Sequence, residues 1–235
     1  MAEVYDARPA YPTLLVDKLV ELTTNIGLRV LDIGAGTGHL ALPLARRGLD
    51  VVAIEPASAM LEQLRLLAEK REVVLRSVHA PAEAIPFDGP SFDLAIISDA
   101  IHFIDAELAA AELRRVLVLR GALAIVTCDY TETPFMSDIQ RLVGESSDRR
   151  PRDVAQAIRH LSSLAQVKLT QQWTFKDETA VDRATLENIL RSVSFIGPAM
   201  NPARFADLSR RVRALPHAPI WARTFTLHVG RRRRR

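Results

Sequence analysis

Val30-Leu31-Asp32-Ile33-Gly34-Ala35-Gly36-Thr37-Gly38 is the stretch on which the reading of this chain turns. The apolar run Leu28 to Ile33 has the composition of a buried strand. His39 to Arg47 carries apolar residues at helical spacing, and Gly48 stops it. Between strand and helix lies a turn with three glycines in five residues. Glycine there permits backbone conformations that a Cβ would block and lets a ligand come close to the main chain.

Taken alone, such a turn could serve NAD, FAD or S-adenosylmethionine. Two details separate them. A dinucleotide fingerprint requires its third glycine three positions after the second. Here that position is His39, and Gly38 comes one residue early. Asp32 also stands two residues before Gly34, at the strand tip. A carboxylate there would repel a pyrophosphate, whereas it suits the ammonium of a methionine moiety. Charge therefore favours the sulfonium cofactor. Val51-Val52-Ala53-Ile54-Glu55 supplies the next signal, an acidic residue at the end of a second strand, 21 positions after Gly34. A carboxylate so placed can accept from both hydroxyls of a ribose.

Outward from these motifs, strands and helices alternate. The patterns predict a helix over Pro56 to Lys70, with Met60, Leu61, Leu64 and Leu67 on one face. They predict strands at Val73 to Val78, Phe92 to Ile97 and Ala122 to Thr127, and a helix over Glu107 to Leu119 ended by Arg120-Gly121. Such alternation implies a parallel sheet covered on both faces. Beyond it, Asp129 to Ala165 reads as charged helix broken by Pro134 and Pro151. Val167 to Phe175 and Trp221 to Val229 alternate like late strands at the sheet's edge. Arg183 to Val193 and Pro202 to Ala214 read as helices between them, suited to a lid.

Composition narrows the classes. With 48% hydrophobic and 25% charged residues, the chain has enough apolar material for a packed core. The formal charge of +3 is local in origin: without Arg231 to Arg235 the balance is 26 basic against 28 acidic residues, a net of −2. A nucleic-acid partner is thus disfavoured, since it would rest on that arginine tail, which is expected to be disordered. Cys128 is the lone cysteine, so no internal disulfide can form and a four-thiolate zinc site is excluded. No metal-ligand cluster shows in the spacing of the histidines. The opening residues lack the pattern of a secretory signal, and no apolar run approaches the roughly 20 residues of a membrane helix. A cytoplasmic location is expected, and homodimerisation is left open.

Together these motifs resemble the class I S-adenosylmethionine-dependent methyltransferases, over about Tyr5 to Cys128. Asp32 to Gly38 looks like their first motif, and Glu55 like their ribose-binding acid. Ala80-Pro81-Ala82-Glu83-Ala84-Ile85-Pro86-Phe87 resembles their adenine-side loop, with Ala82 and Glu83 at the contact positions. Ser91-Phe92-Asp93-Leu94-Ala95 opens the fourth strand as in that family. Ser98-Asp99-Ala100-Ile101-His102-Phe103-Ile104-Asp105 resembles the segment over the methyl group. Tyr5-Asp6-Ala7-Arg8-Pro9-Ala10-Tyr11-Pro12 is similar to members acting on small molecules, among them methyltransferase type 11, trans-aconitate methyltransferase-like and menaquinone methyltransferase-like proteins.

The resemblance implies an α/β fold: a Rossmann-like, doubly wound, seven-stranded, mostly parallel sheet with an antiparallel edge strand and a helical lid. Residues 1–128 would form the S-adenosylmethionine-binding core, 129–230 the sheet-completing strands and substrate lid of the same domain, and 231–235 the tail. The implied cofactor-binding set is Tyr5, Arg8, Asp32, Gly34, Ala35, Gly36, Gly38, Glu55, Pro56, Met60, Ala82, Glu83 and Ser98, with Tyr5 and Arg8 closing over the cofactor's carboxylate. The implied reaction passes a methyl group to a small-molecule acceptor and leaves S-adenosyl-L-homocysteine.

Methyl transfer from a sulfonium mainly requires holding nucleophile, methyl and sulfur in line. A base is needed only when the acceptor brings a proton into the reaction. His102, just past the fourth strand and with an ordinary pKa near neutrality, is the candidate; a wall histidine with no proton transfer is the plainer alternative. His79 lies beside the adenine-side loop and is expected to pack or face solvent, and His160, His217 and His228 show no partner spacing. Phe135, Met136, Trp173, Phe195, Met200 and Phe205 could line an acceptor pocket or simply be core, and Ser194-Phe195-Ile196 falls where related proteins line the acceptor site. Two competing readings stand beside the main one. An RNA methyltransferase lacks support, because Ser98-Asp99-Ala100-Ile101 is not the Asn/Asp-Pro-Pro-Tyr/Phe sequence that holds a flipped base. A cofactor-binding protein with a regulatory or non-methylating role keeps the same motifs, since fold does not determine function.

Overall fold

The computed structural model describes residues 2–24, 26–146, 153–193, 196–198 and 200–233. Seven strands form one sheet: β1 (Arg29–Ile33), β2 (Asp50–Glu55), β3 (Arg76–His79), β4 (Phe92–Ser98), β5 (Leu117–Tyr130), β6 (Val167–Ala180) and β7 (Ile220–Arg232), in the order β3-β2-β1-β4-β5-β7-β6. Pairs β1–β2, β1–β4, β2–β3 and β4–β5 are parallel. At the far side β7 runs the other way. Its last residues bond to the start of β5, where the Arg232 guanidinium donates to the Leu117 carbonyl, and its Ala222 carbonyl accepts from Thr131, just past the end of β5. The sheet is therefore Rossmann-like and mostly parallel, with its antiparallel strand at the edge region.

The helices are α1 (Ala2–Tyr5), α2 (Thr13–Thr23), α3 (Ala41–Arg46), α4 (Ser58–Lys70), α5 (Ala106–Val116), α6 (Pro134–Ser146), α7 (Val154–Leu164), α8 (Arg183–Ser192) and α9 (Pro202–Arg213), with a 3-10 turn at Ile101–Phe103. Packing divides the chain into two compact units. One comprises Tyr11–Thr127, Arg152–Phe175 and Thr226–Arg235; the other comprises Met1–Ala10, Cys128–Pro151 and Lys176–Phe225. The partition departs from a cut near residue 128, because the first ten residues fall with the later helices and α7 falls with the sheet.

In the larger unit β1, β2 and β4 are apolar on both faces, as strands of a covered parallel sheet must be. Leu31, Ile33, Val52, Ile54, Ala95 and Ile97 join Leu113 and Val116 of α5 and Ile158 and Leu161 of α7 in one buried cluster. On α4 Met60, Leu61 and Leu64 are buried while Glu62 and Arg65 face solvent. The smaller unit has its own core, built by Phe135, Met136, Ile139, Leu186, Ile189, Leu190, Phe205, Leu208 and Trp221. Asp153, Asp182 and Asn201 cap α7, α8 and α9 with side-chain oxygens, satisfying amides the helices leave open.

Most boundaries shift from the sequence pattern, and three of the differences have a physical reason. Strand β3 starts at Arg76, because Glu72 takes a left-handed φ of 52° and Val74 is 93% exposed. Helix α5 ends at Val116, where Leu117 turns extended and pairs with Phe92. The arginine run is a correction: Arg231 and Arg232 lie in β7, and their guanidinium groups donate to the Arg120 and Leu117 carbonyls. Arg233 continues by donating its amide to the Gln166 carbonyl at 3.2 Å. Charge alone had suggested a tail, but open carbonyls at a strand end accept guanidinium donors well. Arg234 and Arg235 lie outside the described residues.

Arg223 is the most demanding polar group in the smaller unit. It is buried, donates to the Asp177 carboxylate at 2.5 and 3.2 Å, and to the Pro9 and Ala10 carbonyls at 2.9 and 2.8 Å. Removing one member of such a pair leaves the rest uncompensated. Arg223→Met should lower the free energy of unfolding by on the order of 3 kcal/mol in urea titrations; a loss below about 1 kcal/mol, the usual worth of an exposed pair, would contradict this account.

Candidate active site

The site sits at the carboxyl ends of β1, β2 and β4, the edge of an open α/β sheet where ligands bind. After β1, Gly34 and Gly36 take φ values of +69° and +58°. A Cβ on Gly34 would lie 2.8 Å from the Ala100 Cβ, so this turn and the one after β4 approach each other only because residue 34 has no side chain. The Gly34 and Ala35 amides both donate to the Ile54 carbonyl, at 2.9 and 3.1 Å, and Gly38 donates to the Ala35 carbonyl at 2.9 Å. The loop is thus closed upon itself and upon β2.

Glu55, buried at the tip of β2, braces the turn from the other side. Its Oε2 accepts from the Gly36 amide and its Oε1 from the Ala57 amide, both at 2.9 Å. Each carboxylate oxygen keeps a lone pair. Glu55 can therefore hold the turn and still accept from two hydroxyls.

Asp32 is 2% exposed, and its Oδ2 has no hydrogen-bond partner within the chain. Burial, and then the negative charge of Glu55, push its carboxyl up to about 7. The Ala41 backbone bonds to this carboxyl, so one of its two oxygens is left without a partner beside a second acid, next to a glycine turn, where a cation would be favoured. The nearby Thr37 hydroxyl is likewise buried and unpartnered.

The loop after β3 is fixed by α5. Glu112 accepts from the Ile85 amide at 2.6 Å, and Arg115 donates to the Ile85 carbonyl and to Glu112, also at 2.6 Å. Ala82 is buried, and the Glu83 carboxylate accepts from the Asp105 amide at 2.7 Å. Asp105 in turn caps α5 through the Leu108 amide. Glu83 thus acts by tying its loop to the segment that carries His102. His102 is half-buried in the 3-10 turn, its ring 4.0 Å from that of Phe103, which is 65% exposed. Met60 is buried on α4, and the Pro56 carbonyl bonds to the His79 ring at 2.8 Å.

Ser98 bonds to the Tyr11 hydroxyl at 2.7 Å. Tyr11 and Thr37 were missed as site residues although both lie in quoted motifs; the signal for Tyr11 is only its place in the Tyr-Pro pair. Asp99 was missed too. It takes a left-handed φ of 50° and donates its amide to the Val126 carbonyl, a conformation rare outside glycine and concentrated at functional turns.

Tyr5 and Arg8 belong to the smaller unit. There the Arg8 guanidinium donates to the Ser192 hydroxyl, the Ser192 carbonyl and the Tyr5 hydroxyl at 2.8, 2.7 and 3.1 Å. Capture of a ligand carboxylate by Arg8 would require breaking these bonds. Phe135, Met136 and Phe205 are core residues of that unit, with Met200 packed against them. Trp173 lies under Lys18, 5.1 Å from ring centre to ammonium. Ser194 and Phe195 lie outside the described residues.

Sheet order and glycine turn together give the chain the fold of the class I methyltransferases, as its sequence motifs implied. Residues 31–125 match the family described as the methyltransferase domain. The chain is 36% identical over 142 residues to an uncharacterised methyltransferase of Mycobacterium tuberculosis, covering 60% of this chain and 56% of that protein. It is 41% identical over 101 residues to the demethylmenaquinone methyltransferase of Thermus thermophilus, covering 42% of this chain and 46% of that one. The matches thus span about half the length of these relatives. The YcgJ protein of Bacillus subtilis shares the fold, with a TM-score of 0.61 and 21% identity over 94% of this chain and 98% of that one.

The raised pKa of Asp32 sets a pH dependence. Its folded-state value lies above the ordinary 3.8, so the folded chain holds this proton more tightly than the unfolded chain. The associated stability is full below about 3.8 and is lost as pH rises through about 7. Without ligand, Asp32→Asn should therefore gain on the parent by about 2–4 kcal/mol between pH 4 and pH 8. Urea unfolding across that range checks it; a constant difference between the two proteins would refute the assignment.

Proposed function

We propose that this protein binds S-adenosyl-L-methionine and transfers its methyl group to a small-molecule acceptor. The observation that carries the reading is the unpartnered, buried Oδ2 of Asp32 in a turn whose glycines are sterically required. Asp32 would hold the cofactor's ammonium, directly or through water. Glu55 would accept from the ribose hydroxyls while bonded to Gly36 and Ala57. Gly34, Ala35, Gly36 and Gly38 keep the backbone close to the ligand, Pro56 and Met60 wall the adenosine, and Ala82 and Glu83 form its loop. Ser98, held by Tyr11 at the β4 tip, would lie beside the methionine portion.

When bound, the cofactor supplies an already activated methyl group on its sulfonium. The chain then has to orient the acceptor and exclude water. His102, at the end of β4, would accept the proton of a hydroxyl or carbon acid as the new bond forms. A small acceptor fits the near-neutral charge of the chain without its terminal arginines and the similarity to the demethylmenaquinone enzyme. No helix among the described residues is long and apolar enough to cross a membrane.

Calorimetry with S-adenosylmethionine tests the site. Asp32→Ala should weaken binding at least a hundredfold, and unchanged affinity would sink the assignment. For the chemistry, release of S-adenosylhomocysteine is followed against a panel of small phenols, amines and carboxylates. His102→Ala should cut kcat about a hundredfold or more while cofactor affinity stays within threefold. Equal losses in both would reduce His102 to a wall residue. Tight cofactor binding with no turnover on any acceptor would favour the non-methylating reading.

A further inference from the structure

The larger unit carries a second cleft, of about 590 Å³, lined by Arg159, Ser162, Ser163, Gln166, Val167, Lys168, Leu169 and Arg233. It lies where β6 begins and β7 ends. Those strand ends share an edge of the sheet with the start of β5, as the bonds from Arg233 to Gln166 and from Arg232 to Leu117 show. The Asp32 site occupies the opposite edge, at the ends of β1, β2 and β4. The cleft is therefore separate from the methyltransferase site.

Three cations converge on it from three elements: Arg159 from α7, Lys168 from β6 and Arg233 from the end of β7. None of their side chains has a carboxylate or hydrogen-bond partner among the described residues. At the floor stands Ser162, 4% exposed, with a buried Oγ that has no partner. A helical serine can bond back to its own helix, so an orphaned hydroxyl here lacks the usual local solution. The carboxyl end of α7 would by itself disfavour an anion. Its last carbonyls are already occupied, Leu161 by the Ala165 amide, Ser163 by the Gln166 amide and Leu164 by the Arg114 guanidinium. The local field is set by the cations.

We propose that this cleft binds a phosphate dianion, free or carried by a small molecule. Lys168, Arg159 and Arg233 would surround the oxygens, and the Ser162 and Ser163 hydroxyls would donate to them. The volume falls in the range of small-molecule sites and exceeds what inorganic phosphate fills, leaving room for an attached sugar or similar group. The buried hydroxyl at the floor favours a compact ligand over a nucleic-acid strand, which would lie across the rim.

Titration calorimetry and thermal melts at constant ionic strength test this, with inorganic phosphate, glucose 6-phosphate, glucose and a twelve-nucleotide single-stranded RNA as probes. Saturable binding of either phosphate with a rise in Tm is expected, and none with glucose. Stronger binding of glucose 6-phosphate would identify an organic phosphate as ligand, and equal binding free phosphate. Arg159→Gln with Lys168→Gln should weaken phosphate binding at least tenfold while S-adenosylmethionine affinity is unchanged. Ser162→Ala should weaken it about threefold without lowering the Tm of the free protein, because the hydroxyl has no partner to lose. Absence of saturable phosphate binding, unchanged affinity in the double variant, or binding of RNA alone would each overturn the proposal.

Discussion

The Glu55 carboxylate, bonded to the amides of Gly36 and Ala57, is the interaction on which the carboxyl edge of the sheet depends. It joins the turn after β1 to the turn after β2 through a side chain instead of the backbone ladder. Gly34 and Ala35 reinforce the same junction by sharing the Ile54 carbonyl. An acid with two amides already in place needs little rearrangement to accept two hydroxyls. This is preorganisation: the group that shapes the loop is also the group that would read the ligand.

The same carboxylate has a cost. It stands close enough to Asp32 to raise that buried group further, in a place where burial alone already disfavours charge. Two acids without a cation between them destabilise the free protein at neutral pH. A cationic ligand would relieve both effects, so part of its binding energy would come from pairing these two acids. A pyrophosphate would be disfavoured by the same geometry, since a dianion beside Asp32 and Glu55 would add two more negative charges.

Much of this was legible in the sequence because the signals are local. Strands β1, β2 and β4 are continuous apolar runs, and their tips carry Asp32, Glu55 and Ser98 within a few residues of glycines or turns. What stayed hidden depends on partners distant in the chain. Tyr11 and Ser98 are 87 residues apart and joined by one hydrogen bond. Glu83 and Asp105 meet across 22 residues, so nothing in Ala82-Glu83 announces that the side chain is a brace. Left-handed Asp99 looks ordinary in a string of letters. Arg8 is hidden in the same way: its pattern suggests ligand capture, and nothing near it in the chain announces that its donors reach Ser192, 184 residues away.

The arginine run shows why composition misleads at an edge. Five like charges usually repel and stay solvated. A guanidinium that reaches a strand carbonyl, however, gains a charge-assisted bond that offsets this repulsion. Arg231 and Arg232 do this at Arg120 and Leu117. Arg233 places its backbone on Gln166 and so brings its side chain to the cleft beside Lys168 and Arg159. Once the strand forms, one of the charges that argued against structure here, that of Arg233, lines the cleft proposed to hold phosphate.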